Sequence, residues 1–301
     1  MNRRAIVLTA IIAVVVIAGG ALTWWALSRP PSARDAAETY LTGLADGDVA
    51  AIAPVLPADA DRDALESMFA EATGYLSDPT FDVVDGEGSA AVTAEAIFDG
   101  ERVMFGFTVE DSTGSWLVAE DALGGLDVQT RRGDSAAVGG VVQPIDATIR
   151  VLPAVYTVAA APTGILDDAA IVAAPPGTPV AVALEPSLTD AATALAQEQI
   201  DLYAAECASA TDAVPPSCGI RIPWEADLAT LDSVAFRIEA TPAVELTADA
   251  ETFAATGGAV VATVTGTTRG GDTASFTYQT DQWSIRGHVR FTGDEMRLLV
   301  G

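Results

Sequence analysis

The spacing of apolar positions changes character several times along the chain. From Ala5 to Leu27 (AIVLTAIIAVVVIAGGALTWWAL) there is no charged side chain. At about 1.5 Å per residue a helix of that length reaches roughly 34 Å, enough to cross a hydrocarbon core. Residues 5–27 therefore predict a transmembrane helix behind a short tail, residues 1–4, with Trp24 and Trp25 at the interface their rings favour. A cleaved secretory signal is the competing reading. The run is longer than the roughly 7–15 apolar residues of such signals, and Ala26-Leu27-Ser28 is a poor cleavage site ahead of Arg29-Pro30. Beyond Pro30-Pro31 the apolar residues Ala37, Tyr40, Leu41 and Leu44 recur at helical spacing, with Ser32 as N-cap and Gly47 as stop. A second helix is predicted from about Asp63 to Tyr75, started by a capping pair of Asp63 and Glu66. The period then drops to two in FDVV, AAVTAEAIF, RVMFGFTVE and SWLVAED, with Asp-Gly and Thr-Gly turns between them. Helices followed by an antiparallel sheet make an α+β domain.

The helix ending in LADGDVAAI, the short helix after it and the strands leading to GSWLVAED resemble the nuclear transport factor 2-like fold, a cone of curved sheet wrapped on helices. The resemblance spans residues 32–125. It implies a fold that hosts isomerases and dehydratases alongside many non-catalytic extracytoplasmic modules, so fold alone transmits no activity. The enzymatic members hold an acid or a histidine inside the cone. Here the segment has no histidine, and Glu95 and Asp121 are the strand or strand-end carboxylates to propose as a base. Their turn-rich neighbourhoods favour solvated surface.

Residues 126–143 are rich in glycine and predict a linker, which contains the adhesion-like tripeptide Arg132-Gly133-Asp134, read as chance. A second domain, 144–301, opens with ATIRVLPAVYTV and PVAVAL. The first resembles a strand-turn-strand pattern of bacterial surface modules, with Ala154 where that pattern has glycine. A helix is predicted over about Thr189–Ala208, with Ala192, Leu195, Ile200 and Tyr203 apolar and Cys207 at its end. The strands VAFRIEATPAVEL, GAVVATVTGTT, TASFTYQT, WSIRGHVRF and EMRLLV follow. The expected fold class is thus an N-terminal transmembrane helix and two α+β domains with curved antiparallel sheets, the first nuclear transport factor 2-like. No repeat in the sequence is strong enough to establish a duplication.

Two cysteines, Cys207 and Cys218, stand in the whole chain. With His288 as the sole histidine they supply too few ligands for zinc, and their spacing is not that of a thiol oxidoreductase. Two readings remain. One is a disulfide between the helix end and the Pro215-Pro216 corner, closing a loop worth about 3 kcal/mol in the chain-entropy model. The other is a pair of unbonded buried thiols. A disulfide places the bulk of the protein outside the cytoplasm. Arg3 and Arg4 before the apolar run, against Arg29 and Arg34 after it, barely favour a cytoplasmic N-terminus. The expected topology is single-pass, N-terminus inside and both domains outside.

Charge narrows the function. Asp and Glu number 42 against 15 basic residues, all Arg, for a net charge of -27 in 301 residues. Such a field repels phosphate backbones and excludes nucleic acid as a main partner. The lysine-free composition has the look of a high-GC, actinobacterial-type envelope protein. Without lysine a Schiff base and a P-loop are impossible, and any histidine-dependent triad must use His288. Gly86-Glu87-Gly88 with Ala91 mimics a dinucleotide motif but lies between strands. Asp59, Asp61 and Asp63 mimic a calcium loop, yet Ala64 and Ala70 stand where Gly and Glu are needed. No cofactor and no metal is expected.

In WSIRGHVRF strict alternation puts Trp283, Ile285, Val289 and Phe291 on one face and Ser284, Arg286, His288 and Arg290 on the other. This basic stripe in an acidic chain has two readings: cross-strand pairing with nearby acids, or capture of an anion or carboxylate-bearing ligand in the cell envelope. The expected function is a non-enzymatic, membrane-anchored extracytoplasmic binding or scaffolding protein, with the bilayer and an envelope protein or ligand as partners. The alternative is an isomerase- or dehydratase-like enzyme acting on a small apolar substrate, which needs a buried acid in a deep apolar pocket.

Overall fold

The computed structural model describes residues 31–58 and 60–301. The expected tail 1–4 and transmembrane segment 5–27 lie outside them. Among the described residues no helix is long and apolar enough to cross a membrane. The chain forms two compact units: one of the described residues up to Arg62, Tyr75–Leu123 and Pro175–Gly177, the other of Asp63–Gly74, Gly124–Ala174 and Thr178–Gly301. Both are α+β with mostly antiparallel strands.

The first unit begins with helix α1 (Ala33–Asp46). Ser32 and Asp35 form a reciprocal capping box, and Gly47 ends the helix in the left-handed region at φ 67°. The apolar face read from the sequence is the buried one: Ala37, Tyr40, Leu41 and Leu44 are fully buried. After the single turn α2 (Val49–Ile52) come strands β1 (Ser77–Asp85), β2 (Ser89–Phe98), β3 (Glu101–Ser112) and β4 (Ser115–Val118). They pair in that order as an antiparallel meander that carries α1 on one face. Asp99-Gly100 and Thr113-Gly114 have positive φ at both positions, the backbone that two-residue hairpins require. The interior is filled by aromatic rings: Tyr40 meets Phe107 edge-on at 5.5 Å, and Phe105 packs against both Phe98 and Phe107. The Tyr40 hydroxyl is satisfied by the Ala122 carbonyl at 2.7 Å.

The second unit departs from expectation at its start. Helix α3 (Arg62–Ala70) begins one residue before the predicted Asp63 and stops well short of Tyr75, so Asp63 sits in the first turn rather than at a cap. The segment through Gly74 docks here because Thr73 N–H donates to the Val155 carbonyl and Val155 N–H to the Gly74 carbonyl, each at 2.8 Å. Residues 126–143, read as a linker, instead form strands β5 (Gly124–Thr130), β6 (Ser135–Val138) and β7 (Val141–Pro144). Every residue of β6 is buried. The glycines that mimic a flexible tether serve close packing: a Cβ on Gly124 would lie 2.6 Å from the Ala174 carbonyl oxygen.

Strands β8 (Ile149–Val151), β9 (Ala154–Ala160), β10 (Leu166–Asp167), β11 (Ala169–Ala174), β12 (Val180–Leu184) and β13 (Ser187–Leu188) complete this part. The sheets run β11-β9-β6-β7 and β12-β5-β8, with a two-stranded pair of β10 and β13. Tyr156, one residue past Val155 in the LPAVY turn, is buried and donates its hydroxyl to the Leu152 carbonyl at 2.7 Å.

Helix α4 (Asp190–Ala208) then packs on a long antiparallel sheet of β14 (Leu228–Ala240), β15 (Ala243–Leu246), β16 (Thr252–Thr268), β17 (Thr273–Thr292) and β18 (Glu295–Val300). The order is β14-β16-β17-β18, with β15 also on β16, so β14 and β15 are one strand interrupted at Thr241-Pro242. TASFTYQT and WSIRGHVRF, expected as separate strands, are one continuous strand of 20 residues. Register shifts on both sides of β16 bend the ribbon. The buried stripe of α4 is Ala192, Ala196, Ile200, Ala204 and Cys207. The predicted Leu195 and Tyr203 lie off that stripe and are only half-buried.

Candidate functional site

The alternation read from WSIRGHVRF holds in β17. Trp283 and Ile285 are 1 % exposed and Phe291 is buried, while Arg286, His288 and Arg290 are exposed on the opposite face. The register decides what faces them. Arg286 lies opposite Ala254, His288 between Thr252 and Leu299, and Arg290 opposite Arg297. No acid occupies these positions, and among the described residues none of the three side chains has an ion pair or a side-chain hydrogen bond. Arg297 is itself taken by Glu295, Nε to Oε2 at 2.7 Å. Like charges opposite one another are unfavourable, so the Arg290 position has no cross-strand acid to neutralise it.

Three shallow grooves follow this face. The first, about 600 Å³, is lined by Ser217, Arg221, Thr280, Gln282, Ser284 and Arg286 among others, with no Asp or Glu side chain. The second, about 620 Å³, joins Arg286 and His288 with Glu245. The third, about 790 Å³, holds Arg131, Arg132 and Arg290 with Asp134, Asp249 and Glu251. In the third groove charge is already balanced. The Gly293 N–H and then the Ser135 hydroxyl hold the Asp134 carboxyl below its ordinary range. The Thr247 hydroxyl and the Glu251 N–H, with Arg132 contributing less, do the same for Asp249.

These bonds also account for Arg132-Gly133-Asp134. Arg132 donates to the Asp249 and Ala248 carbonyls, each at 3.1 Å, and Asp134 receives the Gly293 N–H at 2.9 Å. Both ends of the tripeptide are committed to neighbouring turns, a structural clasp rather than a presented loop.

The loop that the disulfide closes, with the residues just after it, contributes Pro216, Ser217, Gly219 and Arg221 to one wall of the first groove. Cys207 lies in the last turn of α4 and Cys218 closes a 3-10 turn, Pro216–Cys218, with their Cα atoms 5.7 Å apart, inside the roughly 4.4–6.8 Å a bridge allows. The unbonded-thiol reading is set aside. The loop is also tied to β17, since buried Trp283 donates Nε1–H to the Cys218 carbonyl at 2.7 Å. Gly219, at φ 67°, passes so close that a Cβ would collide with the Ser284 carbonyl oxygen. Tyr203 Oη–H reaches the Ser217 carbonyl at 3.1 Å.

The two carboxylates proposed from sequence as catalytic bases are separate and occupied. Glu95 accepts Arg102 at 2.6 Å on the outer face of β2 and β3. Asp121 accepts the Thr108 N–H at 2.9 Å and its hydroxyl at 2.8 Å, pinning the turn after β4 to β3. Phe105 and Phe107 are buried in the unit's interior and Trp116 is half-buried. Among the described residues no group of three or more His, Cys, Asp or Glu side chains converges as a metal site.

Sequence reasoning missed Arg221 and two glutamines. Gln197 Oε1 accepts the Val244 N–H at 2.9 Å while its Nε2 donates to the Pro242 carbonyl at 3.1 Å. Gln199 does the same on β18, accepting from Leu298 N–H and donating to the Met296 carbonyl, each at 2.9 Å. Each amide thus completes the hydrogen bonds of an edge strand. The only trace in the sequence is two glutamines flanking a glutamate on an alanine-rich helix. No protein-family model, curated protein or solved structure matches the chain.

Proposed function

We propose that this chain is a non-enzymatic binding or scaffolding protein of the bacterial cell envelope, anchored by residues 5–27 with a cytoplasmic N-terminus and folded outside the cytoplasm. The observation that carries the reading is the run of exposed Arg286, His288 and Arg290, none of which has an acid at its paired strand position or an ion pair among the described residues, in a chain of net charge -27. Free arginines are readily neutralised where carboxylates are so abundant. A strand that keeps them unpartnered preserves a local positive potential, which attracts oxyanions and sets their orientation through the planar guanidinium. The ligand in this reading is an anionic component of the envelope, either a polymer or a protein segment, and not nucleic acid.

The outward location is supported by the Cys207–Cys218 bridge, since such bonds persist in oxidising compartments. The nuclear transport factor 2-like reading of residues 32–125 is supported by the order of elements, a capped helix followed by a four-stranded meander. A non-catalytic role for that module is supported by the occupied state of Glu95 and Asp121 and by the aromatic filling. A reporter fused after Gly301 tests the topology. Activity only outside the cytoplasm is the expected result, and activity in the cytoplasm overturns the localisation.

A further inference from the structure

Of the three grooves along β17, the first is set apart by its charge. Two arginines, Arg221 from the disulfide loop and Arg286 from β17, line it with Ser217, Thr280, Gln282 and Ser284; no Asp or Glu side chain enters, and the negative group at its rim is the carboxylate of the last residue, Gly301. Both arginines are exposed, and neither has an ion pair or side-chain hydrogen bond among the described residues. The third groove, by contrast, sets Asp134, Asp249 and Glu251 against its arginines. In a chain with 42 acidic residues, two free guanidiniums facing one concavity amid hydroxyl and amide donors match one multiply charged oxyanion. Each fork donates two hydrogen bonds and the neutral donors complete the shell.

We infer that the groove between the disulfide loop and β17 binds one multiply charged oxyanion, with Arg221 and Arg286 as its two clasping residues and the Cys207–Cys218 bridge positioning Arg221. The inference rests on the anion-binding reading of β17 and locates the head-group subsite within it. The bridge acts through the loop. Cys218 is bonded to α4, its carbonyl is fixed by Trp283, and Gly219 crosses against Ser284. Arg221 follows after only the buried Ile220, so its backbone has little freedom to leave the groove. Without the bridge the loop is held to its surroundings by single hydrogen bonds, and the second guanidinium loses its fixed place.

Pyrophosphate and citrate, titrated separately into the folded 31–301 part of the chain by calorimetry at low salt, test this, with long-chain polyphosphate as a third probe. Arg221→Gln and Arg286→Gln are each expected to weaken the tighter of the two small anions about tenfold, the loss of one bidentate charged contact. Arg237→Gln, which removes the same charge from the Glu239 ion pair on β14, is expected to leave affinity unchanged. The Cys207→Ser, Cys218→Ser double variant, confirmed folded by circular dichroism, is expected to lose as much as Arg221→Gln. The tighter small anion identifies the head as phosphate or carboxylate. Wild-type affinity in Arg221→Gln, or an equal loss in Arg237→Gln, overturns the site in favour of diffuse attraction. Undiminished affinity in the folded cysteine variant overturns the positioning role. Polyphosphate binding without either small anion overturns the subsite and leaves the wider reading standing; no binding of any probe overturns both.

Discussion

The chain twice builds a helix followed by an antiparallel meander, α1 with the four strands β1–β4 and α4 with the five strands β14–β18, and fastens helix to sheet by different means. In the first, Tyr40, Phe98, Phe105 and Phe107 fill the space between helix and sheet, and the polar groups are quiet turn and cap contacts. In the second, the helix presents mainly alanine, so burial of large side chains contributes less. Attachment comes from a disulfide at the helix end and from Gln197 and Gln199 on the two edge strands. Only the second carries an electropositive face. A helix seated by specific polar and covalent links fixes the edge strands next to it with little contribution from large side chains of its own.

This contrast orders the expected effects of substitution. The largest is in the aromatic interior: Phe107→Ala is expected to destabilise the first unit by about 3–5 kcal/mol. Hydrogen exchange should show the loss over β1–β4 while β16 and β17 keep their protection; equal loss across both sheets would contradict separate cores. Next is the bridge. Cys207→Ser with Cys218→Ser is expected to cost the second unit about 2–4 kcal/mol in denaturant melts, with the first unit unaffected. Smaller again, Gln197→Leu and Gln199→Leu are each expected to cost about 1–3 kcal/mol, since each strands an N–H and a carbonyl at a sheet edge. An unchanged melting point in both would return the glutamines to surface decoration.

The smallest effects are titrations. Tyr278 donates its hydroxyl to Asp227 at 2.6 Å, and this bond, ahead of desolvation and the neighbouring charge, pushes its pKa up to about 12. A folded pKa raised above the ordinary value contributes stability below pH 10, lost as pH rises through about 12. Phenolate absorbance should therefore appear later for Tyr278 than for an ordinary tyrosine, and Asp227→Asn should bring it back down. Asp134 has the opposite sign. Its lowered pKa contributes stability above the ordinary carboxyl range, lost as acid protonates the Asp134 carboxylate that accepts from Gly293 and Ser135. Asp134→Asn should flatten the acid limb of the stability profile, and an unchanged limb would remove the clasp from the account.

Legibility in the sequence followed locality. The N-cap at Ser32, the Gly47 stop, the hairpin turns at Asp99-Gly100 and Thr113-Gly114, and the alternation of Trp283 to Phe291 depend on neighbours within a few residues, and all could be read. The strands of 126–143 could not. There glycine and alanine serve close backbone approach, as at Gly124, and composition cannot tell tight packing from slack chain. For the site, the stripe was visible but its lack of partners was not, because register across β16, β17 and β18 decides that Arg290 meets Arg297 rather than an acid. Arg221 was invisible for the same reason: only the folded disulfide loop brings it to the groove of Arg286.

The central proposal is that the arginines of β17, which have no ion pair among the described residues, attract an anionic ligand. The most direct measurement is the salt dependence of binding to immobilised long-chain polyphosphate, wild type against the Arg286→Gln, Arg290→Gln double variant. The account predicts that wild type binds with affinity falling steeply as salt rises, and that the double variant binds more weakly at every salt concentration with a slope reduced by about two. Identical slopes and affinities in the two proteins would contradict it.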